Sequence, residues 1–337
     1  MVPHDDIPPS DESAADEAPA TAETVDADVD GDSGRDPELE RMAALLESSG
    51  DYRVIRRLRP PRQYARPPEG ADVLLGIYVD VETTGLDAGT EAIIELGLVA
   101  FEFDREGNVY RIVRELSAFE DPGKPIPPHI TALTGIRDED VRGARLPDDE
   151  VTVLVERAQL IIAHNAAFDR PFLERRLPVF EGKPWACSMA DVDWWEAGFG
   201  SQKLEYLAYR CGFFFDGHRA SNDCRAGVHL LAVPPPGQTV PPLANLLRNA
   251  RRSSIRIWAE NSPFETKDLL KERSYRWSAA ARMWWRELPK ADHDVELDWL
   301  AENVYGHRVP LPYLEITAFQ RYSARLPDTP PKGATKK

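Results

Sequence analysis

Cysteine is scarce in this 337-residue chain, and long apolar runs are missing from it. Cys187, Cys211 and Cys224 have unrelated spacings, which excludes both a disulfide framework and a CxxC zinc site. No apolar run approaches the roughly 18 residues that a membrane span requires, and residues 1–9 lack the charged and apolar regions of a signal peptide. We therefore expect a cytoplasmic protein with no membrane partner.

Basic residues are almost absent from residues 1–40, which contain fourteen acidic side chains and a single basic one, Arg35. No aromatic residue occurs there. The remainder contains 43 acidic and 40 basic residues, so most of the net charge of −16 belongs to this segment. A segment so poor in apolar side chains cannot recover its ordering entropy, which predicts a disordered acidic tail. Such a tail would act as a solvating leader, or alternatively as a nucleic-acid mimic that shields a basic surface.

The chain is long enough for about two domains. Residues 41–70 are predicted as a short helix and strand followed by a Pro- and Arg-rich linker. Residues 71–234 alternate strand and helix signals, and the prolines after them mark residues 235–254 as a second linker. Residues 255–322 are predicted as a small basic, aromatic-rich α+β module with the order βαββα, and residues 323–337 as a flexible tail.

Acidic side chains occur at one strand end and two helix starts within residues 71–234. In the sequence VDVETTG, strand alternation places Asp80 and Glu82 on one face, where two carboxylates repel each other unless a cation lies between them. Asp169 follows a buried strand, and we expect it to open the next helix. His218 precedes Asp223, which we expect on the first turn of a later helix.

Each of these patterns also has an ordinary structural explanation, since acidic residues cap strands and helices. Together they supply four carboxylates and a histidine in an order that allows them to meet in one cleft. Oxygen ligands without thiolates or paired imidazoles suit Mg²⁺ or Mn²⁺ rather than zinc. Two such ions about 4 Å apart stabilise the attacking and leaving oxygens of a phosphodiester displacement, and a neutral histidine can take a proton from the attacking water.

The chain resembles the DnaQ-like 3′–5′ exonucleases, the DEDDh group that includes the proofreading epsilon subunit of bacterial DNA polymerase III. The resemblance lies in four segments in the correct order: DVETTGLD with IIELGLVAF, ITALTGIRDEDV, HNAAFDRPFL and GHRASNDCRAGVHLL. It implies a ribonuclease H-like α/β fold, a mixed five-stranded sheet with helices on both faces. It also implies two Mg²⁺ (or Mn²⁺) ions bound by Asp80, Glu82, Asp169 and Asp223, with His218 as the general base.

The same resemblance implies where the terminal nucleotide of a substrate lies. Thr83 to Gly85 would lie near its sugar and phosphate, and His129 and Thr134, just before and in the LTGI stretch, would lie beside the nucleotide. The backbone of the strand would approach the HNAAFD segment, in which His164 is expected to orient its neighbours. The implied substrate-binding residues are Thr83, Thr84, Gly85, His129, Thr134, Asn165 and Phe168.

Positive charge and tryptophan are concentrated in residues 248–290, which hold eleven Lys and Arg, five Asp and Glu, and four of the eight tryptophans. Aromatic faces among cations are typical of single-stranded nucleic-acid binding, through base stacking and phosphate attraction. The candidate contacts are Arg276, Trp277, Arg282 and Trp284. Alternatively, the aromatic residues form the core of this small module and the arginine stems cover it.

We expect a metal-dependent 3′–5′ exonuclease that releases nucleoside monophosphates from the 3′ end of DNA in proofreading or repair. Its partners would be single-stranded DNA 3′ ends, and a DNA polymerase or another repair protein. One alternative is an RNA-trimming 3′–5′ exoribonuclease, whose catalysis would be alike. From another class, the alternative is a non-catalytic, polymerase-associated nucleic-acid-binding scaffold, against which the intact catalytic positions argue.

Overall fold

The computed structural model describes residues 35–331 and 335–336. Its strands are β1 (Arg56–Arg57), β2 (Leu74–Thr83), β3 (Ile93–Phe103), β4 (Val109–Phe119), β5 (Leu160–Ala163), β6 (Trp185–Cys187), β7 (Phe213–Phe214), β8 (Ser254–Ala259), β9 (Arg276–Ser278), β10 (Met283–Pro289), β11 (Pro312–Ile316) and β12 (Thr335–Lys336). Its α-helices are α1 (Pro37–Ser48), α2 (Pro128–Thr134), α3 (Asp138–Val141), α4 (Asp148–Arg157), α5 (Ala166–Arg176), α6 (Leu204–Cys211), α7 (Ala220–Ala232), α8 (Pro242–Ala250), α9 (Lys267–Glu272) and α10 (His293–Leu300). None of these helices is long and apolar enough to cross a bilayer.

The first sheet has five strands in the order β4-β3-β2-β5-β6. β2, β3 and β4 pair antiparallel, whereas β5 and β6 run parallel to β2. One face of β2, with Ile77 and Val79, packs against α4 and α5. The other face, with Tyr78, packs against α6, α7 and α8. β2 and β3 are apolar along most of their length because both faces are covered. The predicted mixed five-stranded sheet with helices on both faces is therefore confirmed.

Helix α1 begins inside the segment predicted as an acidic tail. The side chain of Asp36 caps it by accepting a hydrogen bond from the Glu38 N–H at 2.8 Å, and Pro37 occupies the first helical position, where its missing N–H costs nothing. Residues 37–40 are therefore helical instead of belonging to that tail. Residues 1–34 lie outside the described part of the chain, so the rest of the tail stays a prediction.

The second sheet has the order β12-β11-β8-β10-β9, and all its pairs are antiparallel. One face buries Ile257 and Leu288 against Leu270 of α9 and Leu297 of α10. The predicted order of strand, helix, hairpin and helix is present. β11 was not predicted, because it begins at Pro312, and proline weakens the strand signal.

Helix α8 lies in the segment predicted as a linker, residues 235–254. Its leucines and its last alanine are buried in the core beside β2 and α7: Leu243, Leu246, Leu247 and Ala250. They follow the i, i+3, i+4, i+7 spacing of an amphipathic helix, a signal that the surrounding prolines obscured. The prediction of a linker is therefore corrected for residues 242–250.

Residues 317–328, which we term the strap, run from the first sheet and α5 to the second sheet, where the carbonyls of Pro327 and Asp328 accept hydrogen bonds from Arg256 and Ser278. The Trp185 N–H of edge strand β6 donates to the Ala318 carbonyl at 2.8 Å. The Ser323 hydroxyl donates to Glu174 of α5 at 2.7 Å, and the Arg325 guanidinium donates to the same carboxylate at 2.9 Å. The prediction of a flexible tail from residue 323 is therefore corrected as far as residue 328. The basic composition of this segment suggested a flexible end, but its polar side chains are paired with a buried carboxylate.

Candidate active site

Three carboxylates meet where the carboxyl end of β2 faces the start of α7. Asp80 and Glu82 project from one face of β2, as strand alternation predicts, and Asp223 projects from the first turn of α7. One oxygen of each lies within 4.8 Å of those of the other two, and all three side chains are half-buried. The structure thus brings these three residues together, and their role as metal ligands stays a prediction.

Asp169 completes a set of four, which we term the carboxylate cluster. Its side chain is buried and accepts a hydrogen bond at 3.1 Å from the N–H of Val81, which lies between Asp80 and Glu82. Helix α5 begins at Ala166, so Asp169 does not open the helix as predicted. It lies on the first turn, where a carboxylate is also favoured by the helix dipole.

Burial and mutual repulsion hold protons on these carboxyl groups. The pKa of Asp80 is raised well above its usual range by burial and then by Asp169, Asp223 and Glu82. Burial, followed by Asp223 and Glu95, raises the pKa of Glu82 to about 8, although the Arg219 guanidinium opposes this shift.

Burial likewise raises the pKa of Asp223 to about 7 and that of Asp169 well above its usual range. A cation placed between these groups would relieve the repulsion and displace the protons. The donor atoms are carboxylate oxygens, which fit hard divalent cations such as Mg²⁺ or Mn²⁺.

His218 lies in the loop before α7 with a left-handed backbone, φ 60°. Its side chain is about half exposed, and its Nε2 lies 3.7 Å from an Oε1 of Glu205 on α6. Backbone hydrogen bonds from Arg219 and His218 reach the Asp223 carboxylate. The structure therefore places the His218 ring beside Glu205, a neighbour that the sequence did not indicate, and its backbone beside Asp223.

Glu95 is a fully buried carboxylate beside the cluster that sequence reasoning missed. It lies opposite Glu82 in the β2–β3 register. Its oxygens accept hydrogen bonds at 3.2 Å from the Arg219 guanidinium and from the Ala220 N–H, the first residue of α7. The first N–H groups of a helix have no partner within the helix, and the side chain of Arg219 does not cap α7. Glu95 therefore supplies an acceptor for one of these N–H groups. A charged residue within the apolar run IIELGLVAF was the available signal.

Gly97 lets α7 approach β3 closely at this point. A Cβ atom at Gly97 would lie 2.3 Å from the carbonyl carbon and oxygen of Ala220. Glycine is therefore required at position 97 because a side chain would clash with α7, and not because the backbone turns there. Together, Gly97 and Glu95 fix the first turn of α7, and with it Asp223, over the end of β2.

The turn after Glu82 uses its predicted substrate-binding hydroxyl groups internally. Thr83 donates to the Gly85 carbonyl at 2.7 Å, and Thr84 donates to a carboxylate oxygen of Glu91 at 2.5 Å. A Cβ atom at Gly85 would lie 2.9 Å from the Glu91 side chain. The turn is thus rigid beside the cluster, and its role as a substrate contact stays a prediction.

The other predicted substrate-binding residues lie on α2 and α5. His129 is exposed on α2, while the buried Thr134 hydroxyl donates to the Ile130 carbonyl. Asn165, with φ 68°, precedes α5, and Phe168 packs on Phe172 with ring centroids 5.1 Å apart. The role of these residues as substrate contacts also stays a prediction.

His164, at the end of β5, is held through both ring nitrogens. Nδ1 lies 2.9 Å from the Ser188 hydroxyl and Nε2 lies 2.8 Å from the Gln202 carbonyl. Burial lowers the pKa of this imidazole to about 4. A neutral ring with both nitrogens engaged suits an orienting residue, not a base that titrates near neutral pH.

The candidate nucleic-acid contacts of the second sheet lie on its β9–β10 hairpin. Trp277 on edge strand β9 is 52% exposed, and its ring meets that of Trp284 edge to face at 5.5 Å. Arg276 is exposed on β9, and Arg282 is exposed in the turn. Trp258, in contrast, is fully buried. Arg276 pairs across the strands with Trp285, so it lies on the opposite face of the hairpin from Trp277 and Trp284. The binding role of the hairpin stays a prediction.

Comparison with known proteins places this site in a family context. The family model described as an exonuclease (RNase_T) matches residues 77–231. The DNA polymerase III subunit epsilon of Treponema pallidum is 30% identical over 165 residues, which cover 46% of this chain and 73% of that protein. The PolC-type DNA polymerase III of Clostridium perfringens is 30% identical over 167 residues, and that of Streptococcus suis is 38% identical over 109. The chain spans only 11% and 7% of these two polymerases.

Solved structures give looser matches. Exonuclease X in complex with 5′ overhanging duplex DNA is 24% identical with a TM-score of 0.37, covering 51% of this chain and 99% of that one. E. coli Exonuclease I in complex with a 5cy-dT13 oligonucleotide is 14% identical with a TM-score of 0.42, covering 64% and 63%. Both scores are too low to establish a common fold.

Proposed function

This chain belongs to the DnaQ-like exonuclease family, and we propose that it is a metal-dependent 3′–5′ exonuclease acting on DNA. The observation that carries the proposal is the half-buried group of Asp80, Glu82 and Asp223, whose oxygens lie within 4.8 Å of one another with raised pKa values. Such repulsion is costly unless the site exists to bind cations. Exonucleolytic cleavage would release nucleoside monophosphates in proofreading or repair.

Asp80, Glu82, Asp169 and Asp223 would hold two Mg²⁺ or Mn²⁺ ions. When bound, these ions supply charge stabilisation for a phosphodiester displacement. His218 is assigned as the general base, because it is the exposed histidine beside the cluster and is joined to Asp223 through its backbone. Its ring can reach solvent, as the removal of a proton from water requires.

DNA is favoured over RNA because the relatives matched are subunits of DNA polymerase III. By the same reasoning, the proposed partners are single-stranded DNA 3′ ends and a DNA polymerase or another repair protein. The exposed Trp277 with Trp284, and Arg282 in the adjacent turn, are proposed as an accessory stacking surface for the strand, while Arg276 lies on the other face of the hairpin.

Single strands of DNA and RNA with the same sequence, labelled at either end, test the proposal. With Mg²⁺, we expect the 3′ label of DNA to be released as a mononucleotide, while a 5′-labelled strand shortens stepwise; EDTA should stop both. Asp80→Ala should lower the rate by about 100-fold or more, and the exposed Asp51→Asn should not.

Each contrary result points to one alternative. Degradation of RNA but not DNA would identify an exoribonuclease. Binding of DNA without hydrolysis of either strand would identify a scaffold. An Asp80→Ala variant that keeps more than about a tenth of the rate would refute the ligand assignment.

A further inference from the structure

Residues 53–66 form an arm with six arginines and no acidic residue. Its strand β1 pairs in parallel with β7, and Arg53 donates to the Tyr209 and Arg210 carbonyls at the end of α6. Arg57 lies over the Phe214 ring at 4.9 Å. The arm is therefore fastened to the segment that leads directly into the His218 loop.

A cavity of about 380 Å³ separates this arm from α7. Arg57 and Arg62 line it from the arm, and Asn222 and Arg225 line it from α7. Asn222 directly precedes Asp223 of the carboxylate cluster, and Arg225 follows two residues later. With about 3.6 residues per turn, Asn222 and Arg225 lie on a different side of α7 from Asp223, so the cavity and the cluster flank the first turns of one helix.

The charge of the cavity is not balanced from within. Arg57 pairs with Asp216 and Arg225 with Glu115, each at 2.5 Å. The exposed side chain of Arg62 has no hydrogen-bond or ion-pair partner among the described residues. Three guanidinium groups therefore face two carboxylates, which leaves room for one more anion, and arginine suits phosphate because its fork of donors matches the phosphate oxygens.

We propose that this cavity, with Arg62 as its free cation, binds a backbone phosphate of the nucleic-acid strand that is being hydrolysed. A strand that presents its terminal phosphodiester to the carboxylate cluster has further phosphates close behind it, and one of these would reach the cavity where the strand passes the start of α7. The inference rests on the proposed function for the presence of a strand, and it adds a binding site outside the carboxylate cluster.

Binding measurements with the inactive Asp80→Ala protein test the inference. The test variant is Arg62→Ala, and the matched control is Arg157→Ala, an equally exposed arginine at the end of α4 on the opposite face of the first sheet. Affinity for a single-stranded 12-mer is measured over a range of salt concentrations. Arg62→Ala should weaken binding, with a loss that shrinks as salt rises, and should lower the slope of log K against log salt by about 0.7, the value for one contact with a single strand.

Turnover of the p-nitrophenyl ester of thymidine 5′-monophosphate separates this inference from the proposed function. That ester reaches the carboxylate cluster but has no further phosphate, so Arg62→Ala in the active protein should leave its turnover unchanged. If wild type hydrolyses neither ester nor DNA, the proposed function fails, while strand binding still decides the inference. The inference would be overturned by an unchanged salt slope for Arg62→Ala, or by a loss of affinity equal to that of Arg157→Ala. A loss of affinity confined to duplex DNA would overturn it as well.

Discussion

Replacing Asp223 with Asn should stabilise the metal-free protein near pH 8. Burial above all, assisted by the charge of Glu205, raises the pKa of Asp223 from 3.8 to about 7. A carboxyl group whose pKa is raised by folding favours the folded state while it is protonated. That contribution is lost as the pH rises from the unfolded value through the folded one. The stability of the metal-free protein should therefore fall between about pH 4 and pH 7.

The size of the effect follows from the same shift. One pKa unit corresponds to about 1.4 kcal/mol, so ionising Asp223 costs at most ~4 kcal/mol. Because the cluster shares its protons, a single substitution should recover ~1–2 kcal/mol, or about 2–8 °C in Tm. The new amide oxygen can still accept the hydrogen bond from the Arg219 N–H.

Thermal unfolding followed by circular dichroism in EDTA, near pH 5 and near pH 8, measures this gain. Asp51→Asn, which neutralises an exposed carboxylate, is the control. With saturating Mg²⁺, wild type should instead be more stable than Asp223→Asn. Binding at 100 times Kd adds about 2.7 kcal/mol to the unfolding free energy of wild type, and the variant gains less. An Asp223→Asn protein no more stable than wild type near pH 8 in EDTA would refute the reasoning, as would a wild-type Tm that does not depend on pH.

Four further outcomes follow. His218→Ala should flatten the rise of rate with pH that a general base produces, whereas His164→Ala should lower the rate and keep the pH profile; pH–rate curves distinguish them. Glu95→Gln should weaken metal affinity by about 10- to 100-fold, measured by titrating the metal-dependent gain in Tm, because it loosens the start of α7. Arg170→Leu should cost about 3–5 kcal/mol of unfolding free energy, measured by urea denaturation, because it leaves buried acceptors unpaired. Trp277→Ala should cost about 1–3 kcal/mol of strand affinity with little salt dependence and no change in Tm.

Strand alternation and helix starts made the carboxylate cluster predictable from sequence. Asp80 and Glu82 had to share a face of β2, and Asp223 had to lie on the first turn of its helix, because both rules are local. The first sheet was predictable for the same reason, since its long apolar strands are bounded by turn residues.

The remaining features depend on contacts between segments distant in sequence. Glu95 meets Arg219 only after β3 and α7 pack together, and the His218 ring meets Glu205 only after α6 is in place. Helix α8 carried an amphipathic pattern, but its flanking prolines are also what a linker contains. Local composition does not distinguish a packed helix from a linker. The packing of α8 on the core beside α7 does.

Helix α5 joins the carboxylate cluster to the strap. Asp169 on its first turn faces the cluster, and the next residue, Arg170, is fully buried and donates to the carbonyls of Phe319 and Arg321. A buried guanidinium is tolerated only while its donors have partners, and apart from Glu174 these partners belong to the strap. Removing the strap would leave Arg170 with Glu174 alone among these partners, beside a proposed metal ligand. A truncation before residue 317 therefore alters the active site together with the second sheet, so surface substitutions such as Trp277→Ala are the cleaner test of strand binding by that sheet.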